Sequence, residues 1–168
     1  MTAPDVFYDV DFRPQSLTGA APLERQGRYG LFVNLRQQIT GDAGKRGLSL
    51  FFYFTQADKR TSTLDRQIAG GATWDGLLAA RPQDSVALAF GTTHVNERVA
   101  LGQLLHNQAG LLPFQPVQGS EYEVELNYKL RLAPGLSFMP NLQYIHRPGG
   151  IASEPDAVVL GMRITLGL

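Results

Sequence analysis

Eight polar residues stand at alternate positions in runs whose other positions are apolar: Arg36, Glu123, Glu125, Asn127, Lys129, Asn141, Gln143 and Arg163. Their shared chemistry is reversible hydrogen bonding. Carboxylates and amide oxygens accept, while guanidinium, ammonium and amide N–H groups donate. Lining a water-filled passage, such groups replace a polar solute's hydration bonds one for one, so that transit costs little desolvation. Opposite charges facing each other also set a transverse field that favours neutral solutes over single ions. Arg36 and Glu125, near the middle of their runs, are the stronger candidates for solute contact. The plainer alternative is that these groups merely pair with one another, as Glu125 and Lys129 on one face would.

Nothing else in the chain assembles into a reaction centre. His94, His106 and His146 are far apart and lack HExxH spacing, so they read as polar residues in or beside loops rather than ligands. Asp9 and Asp11 share a strand face without a calcium-loop pattern. No helix carrying a lysine and a hydroxyl follows Gly70-Gly71, which therefore does not read as a phosphate cradle. The chain has no cysteine, which removes disulfides, thiolate metal sites and cysteine nucleophiles together. The expectation is a protein that is not an enzyme and needs no metal or cofactor.

The elements that position the polar residues are strands. Residues 121–132, EYEVELNYKLRL, alternate polar and apolar without exception. A helix would scatter both sets around its cylinder, so only a period of two separates them. At about 3.4 Å per residue and a tilt near 45°, twelve residues rise about 29 Å, enough to cross an outer-membrane apolar band about 25 Å tall. Similar alternation marks residues 28–40, 48–56, 85–95, 136–145 and 156–168, and more weakly 66–75 and 5–13. About eight strands result, an antiparallel transmembrane β-barrel segment occupying residues 1–168 as one unit.

Connections between these strands alternate in length. Those at 41–46, 76–84 and 133–135 are short; those at 13–27, 57–65, 96–120 and 146–155 are longer. Bacterial barrels keep short periplasmic turns and longer outer loops, which makes 96–120 a long outer loop. Within it Asn96 predicts a helix start, Val99, Leu101, Leu104 and Leu105 an apolar stripe, and Gly110 a stop. With directions set this way, outward Tyr29, Phe54, Tyr122 and Tyr144 fall near the outer ends, and Trp74, Tyr128 and Phe138 toward the periplasmic ends. Two belts of rings are what membrane interfaces favour; Trp74 is an interface anchor before it is a platform for a ligand.

Composition permits this architecture. Lysine plus arginine equals aspartate plus glutamate, 15 each, so no net field calls for nucleic acid. No apolar stretch is long enough for a membrane-spanning helix, and 18 glycines with 10 prolines fit many turns. The first ten residues lack a basic and an apolar signal region, which predicts a mature form or a segment of a longer chain. Two other classes stay open on sequence: a small outer-membrane barrel with an anchoring or envelope role that does not conduct, and a soluble lipocalin-like binding barrel with its apolar face inside.

Four stretches carry a family resemblance: GLFVNLRQQI (30–39), WDGLLAARPQDSVALAFGTTHV (74–95), EYEVELNYKLRLAPGLSFMPNLQYIHRPGG (121–150) and DAVVLGMRITL (156–166). Together they resemble the C-terminal half of the carbohydrate-selective outer-membrane porins of the OprB type. The resemblance implies a barrel of roughly sixteen strands that passes small sugars passively across the bacterial outer membrane. It implies as partners outer-membrane lipid, small carbohydrates and the barrel-assembly machinery, no nucleic acid, and leaves an oligomer open. The terminal Leu168 departs from the aromatic residue with which such barrels usually end.

Overall fold

Strand pairing here follows chain order, each strand running back along the one before it. A computed structural model describes residues 1–41 and 46–167. The turn expected at 41–46 therefore lies, for residues 42–45, outside the described residues, as does Leu168. Seven strands form one antiparallel sheet in sequential order: β3 (Gly30–Gln38), β4 (Gly47–Ala57), β5 (Leu64–Asp75), β6 (Ser85–Val95), β7 (Ser120–Ala133), β8 (Leu136–His146) and β9 (Ala157–Leu166). β3 and β9 are not paired with each other, so the sheet is an open wall.

Register turns the alternation of each strand into rows across the wall. Leu88, Leu126, Leu142 and Leu160 are consecutive partners on β6, β7, β8 and β9. A slip of one residue would carry every leucine to the other face, which is why an alternating strand fixes its register strongly. Between β7 and β8 the turn is Pro134-Gly135: proline presets its own φ, and Gly135 takes φ +74° at no steric cost.

Which face meets which surroundings is decided by exposure. The apolar face is bare, with Leu160 80 % exposed, and among the described residues Val95 is the single buried hydrophobic side chain. On the other face Glu123, Glu125 and Asn127 are half-buried. A soluble binding barrel would close its oily sides over a dry interior, whereas here the oily side is the exposed one. The soluble alternative is therefore dropped.

One expected strand is not in the wall. Residues 5–13 were expected as a barrel strand, but β1 (Thr2–Asp9) pairs with β2 (Pro22–Gln26), a strand without a period-two signature, in a separate two-stranded ribbon. Asp9 and Asp11 explain the departure. Asp9 Oδ1 accepts the backbone N–H groups of Asp11 and Arg13 at 2.9 Å each, folding the chain back on itself where a wall strand would have to continue.

The ribbon is welded at the loop end of the wall to a short helix α1 (Gln15–Thr18), the 58–63 loop and helix α2 (Glu97–Gln108). Asn96 starts α2 as expected, its Oδ1 accepting from Arg98 N at 3.0 Å. The packed side of α2 differs from the expected stripe. Leu101 and Leu104 are exposed, whereas Gly102 and His106 are buried. A Cβ on Gly102 would sit 3.6 Å from Ser16, an ordinary contact, so α2 packs against α1 here at van der Waals distance. His106, expected in a loop, places Nδ1 3.1 Å from Ser16 O and Nε2 3.0 Å from Pro113 O.

Candidate functional site

The polar face of the wall contains a trench. Its floor is built where β5 and β6 carry Ala69, Gly71, Ala87, Ala89 and Gly91 on that face. One bank is Phe51 and Tyr53 on β4; the other is Glu121, Glu123 and Glu125 on β7. A single row, Tyr53–Ala69–Gly91–Glu123, crosses from bank to bank through consecutive partners. Three strand spacings separate the banks, about 14 Å between backbones. At the loop end the trench deepens into an open cavity of about 250 Å³, lined among others by Tyr53, Thr55, Gln67, Thr93 and Glu123.

Two glycines in this region do different things. A Cβ on Gly71 would stand 2.3 Å from Leu88 O and 2.7 Å from the Phe51 ring, so only glycine allows the Phe51 ring to lie down against β5. A Cβ on Gly91 would meet nothing closer than Ile68 O at 3.9 Å. Gly71 serves packing; Gly91 leaves space.

All eight polar residues named from the sequence lie on the trench side of the sheet by register, but their surroundings differ. Glu125 does not pair with Lys129. Its Oε1 accepts from Asn127 at 3.1 Å and Asn141 at 3.3 Å, and its Oε2 from Gln143 at 3.2 Å. Four of the eight thus form one amide-bound carboxylate cluster. Arg36, Lys129 and Arg163 make no hydrogen bond or ion pair with the described residues, and Arg36 lies on the exposed edge strand. Of the three bank carboxylates, Glu121 accepts from Gly149 N at 2.6 Å, and Glu123 has no hydrogen-bonding partner among the described residues. The sequence places Tyr53 and Thr55 opposite the apolar face of β4, yet nothing in one strand tells that Tyr53 faces a carboxylate three strands away.

On the apolar face, Phe54, Tyr122 and Tyr144 lie toward the loop end of the wall and Trp74, Tyr128 and Phe138 toward the turn end, with Tyr29 just ahead of β3 beneath the Arg60 guanidinium at 5.5 Å. Tyr128 also donates to Asp84 Oδ2 at 2.8 Å, tying the 76–84 turn to β7. Asp84 further accepts from Arg81 Nε at 2.8 Å and Arg131 N at 2.9 Å. Arg81 beside it, then the Arg131 amide, hold its carboxyl down to about 2.

At the opposite end, buried carboxylates hold the cap. Asp5 accepts from Arg25 Nε and Arg98 Nη2, both at 2.7 Å, and from the backbone of Phe7 and Tyr8. Burial alone would raise its pKa; the Tyr8 amide, Arg25 and the rest outweigh that and lower it. Asp58, gripped by Arg60, is lowered too. Asn96 Nδ2 donates to Lys59 O at 2.7 Å and Ser62 O at 2.8 Å. His94 and His146 each face an aspartate, Asp65 at 2.6 Å and Asp156 at 2.8 Å.

Comparison with known proteins places this geometry among relatives. The family model described as carbohydrate-selective porin, OprB family, matches residues 2–168. Porin B of Pseudomonas aeruginosa is 40 % identical over 171 residues, covering 96 % of this chain and 37 % of that protein. A putative porin, QuiX, of Acinetobacter baylyi is 30 % identical over 158 residues, covering 88 % and 36 %. The high-pH structure of Pseudomonas putida OprB superposes with a TM-score of 0.92 at 38 % identity, covering 98 % of this chain and 41 % of that one. The chain thus spans little more than a third of the curated relatives' length.

Proposed function

The chain belongs to the OprB family of carbohydrate-selective porins, and from that premise we propose that it supplies seven wall strands of an outer-membrane barrel through which small neutral sugars diffuse passively. The observation that carries the proposal is the division of the two faces: bare apolar rows on one side, half-buried hydrogen-bonding groups around a trench on the other. Lipid meets the first and water the second. The long connections, with the cap, then face outward and the short turns face the periplasm. Seven strands in a chain covering 41 % of a solved relative are in proportion with a barrel of roughly sixteen strands.

Arg36, Glu123, Glu125, Asn127, Lys129, Asn141, Gln143 and Arg163 line the water side in this reading. The Glu125 cluster of three amides keeps a charge on the wall in fixed orientation, while Arg36, Lys129 and Arg163 remain available to passing solutes. Tyr29, Phe54, Trp74, Tyr122, Tyr128, Phe138 and Tyr144 anchor the lipid side at its two interfaces. The conducting reading is favoured over a small envelope anchor because a non-conducting barrel has no use for an open trench. Liposome swelling tests it. Vesicles containing the protein should swell in isotonic glucose and not in an isotonic solute too large for the pore. Equal, slow swelling in both would reject sugar diffusion.

A further inference from the structure

The loop end of the trench brings together an aromatic face, a floor of small residues and a carboxylate that no donor engages among the described residues. Resting on the sugar-diffusion reading, we propose that this place is a binding station for one neutral pyranose ring, stacked on Tyr53 and held at a vicinal diol by Glu123.

A pyranose has two chemically unlike parts. Its C–H groups make an apolar face that seeks an aromatic ring, and its hydroxyl edge needs acceptors in fixed directions. Tyr53 supplies the first, tilted 38° to Phe51 with ring centroids 5.4 Å apart, so the aromatic bank continues down the trench beyond one ring. Glu123 supplies the second, because a carboxylate takes two donors at once. Its neighbours are not equivalent to it: Glu121 is engaged by Gly149 N and Glu125 by three amides. Thr55, Gln67 and Thr93 at the loop end add hydroxyl and amide groups that also lack side-chain hydrogen bonds among the described residues.

The floor supports the assignment independently. Ala69 and Gly91 separate Tyr53 from Glu123 in one row, and nothing in the backbone packing requires glycine at 91. Its missing side chain keeps the space between the banks open. A cavity of about 250 Å³ lies just under the range of about 300–1,000 Å³ that suits drug-sized ligands, as fits a monosaccharide. The charged residues lining the cavity are Glu121 and Glu123, both negative, which disfavours a sugar acid there and favours neutral rings.

Single-channel recording in planar bilayers tests the station, with D-glucose as the probe and its half-blocking concentration as the readout. Glucose should reduce the wild-type ion current saturably. Tyr53→Ala and Glu123→Ala should each raise the half-blocking concentration about tenfold. Gly91→Leu, which changes no charge and whose Cβ would come no closer to the backbone than 3.9 Å, should do the same by filling the trench. In the wild type, glucuronate should block about tenfold more weakly than glucose, and Glu123→Ala should narrow that gap. If the wild type conducts and glucose blocks it, yet all three variants stay within about twofold of it, the station is refuted and the porin reading survives. If the wild type gives neither channel steps nor glucose flux, both fall.

Discussion

In the wall, β3 to β9, each strand repeats one local rule, and neighbours meet along ladders of consecutive residues. In the cap, the ribbon, α1, α2 and the 58–63 loop meet through single side chains: Asp5, Asn96 and His106, all buried and all polar. The wall draws its order from many interchangeable contacts and from its surroundings; the cap draws it from a few desolvated groups that accept no substitute. A wall tolerates variation in any one rung as long as the faces stay sorted. A cap fails at one atom, because removing one member of a buried polar set leaves the others without partners.

The largest effect expected is on the wall, when the sorting itself is violated. Leu126→Arg, in the middle of the leucine row, should cost up to about 4 kcal/mol of folding free energy in lipid, read from urea titration in vesicles by heat-modifiable migration. A cost near zero would place that face in water and undo the distinction between the faces. Next comes Asp5→Ala, which strands Arg25 and Arg98 beside a buried gap. It should destabilise the cap by about 3 kcal/mol, seen as faster amide exchange across β1 and β2 with the central wall rows unaffected. Loss of protection spreading into β6 and β7 would mean that cap and wall unfold as one unit. Asn96→Ala removes a helix cap and two donors to loop carbonyls, for about 2 kcal/mol, measured by exchange at Arg98 and in the 58–63 loop.

Acid separates the regions more gently. Asp5, Asp9 and Asp58 have folded pKa values lowered below the ordinary 3.8. Their stabilisation is thus present above 3.8 and lost as pH falls below it toward the folded values. Exchange protection in the ribbon, corrected for intrinsic rates, should decline in that window while the Leu88–Leu126–Leu142–Leu160 row holds. A cap whose protection is flat from pH 5 to about 2 would show that these carboxylates do not stabilise it.

The same contrast separates what could be read in advance from what could not. Period two is a local property: in an extended strand successive side chains take opposite faces whatever the rest of the chain does. Hence EYEVELNYKLRL, the leucines at 126, 142 and 160 and the shared face of the eight polar residues were legible residue by residue. So was α2, because Asn96 caps it from within its own first turn. The ribbon was not, since residues 5–13 alternate well enough for a wall strand and the turn that diverts them is made by one aspartate accepting two amides.

Sequence by itself determined the seven wall strands, their faces and the family, because alternation and strand-turn spacing are written in consecutive residues. Only the tertiary structure decided that Asp5 meets Arg98, 93 positions away, that Glu125 is bound by amides rather than by Lys129, and that Tyr53 and Glu123 share one row across Ala69 and Gly91. Those pairings depend on which strands become neighbours and at what register. Neither is encoded in the periodicity of any one segment.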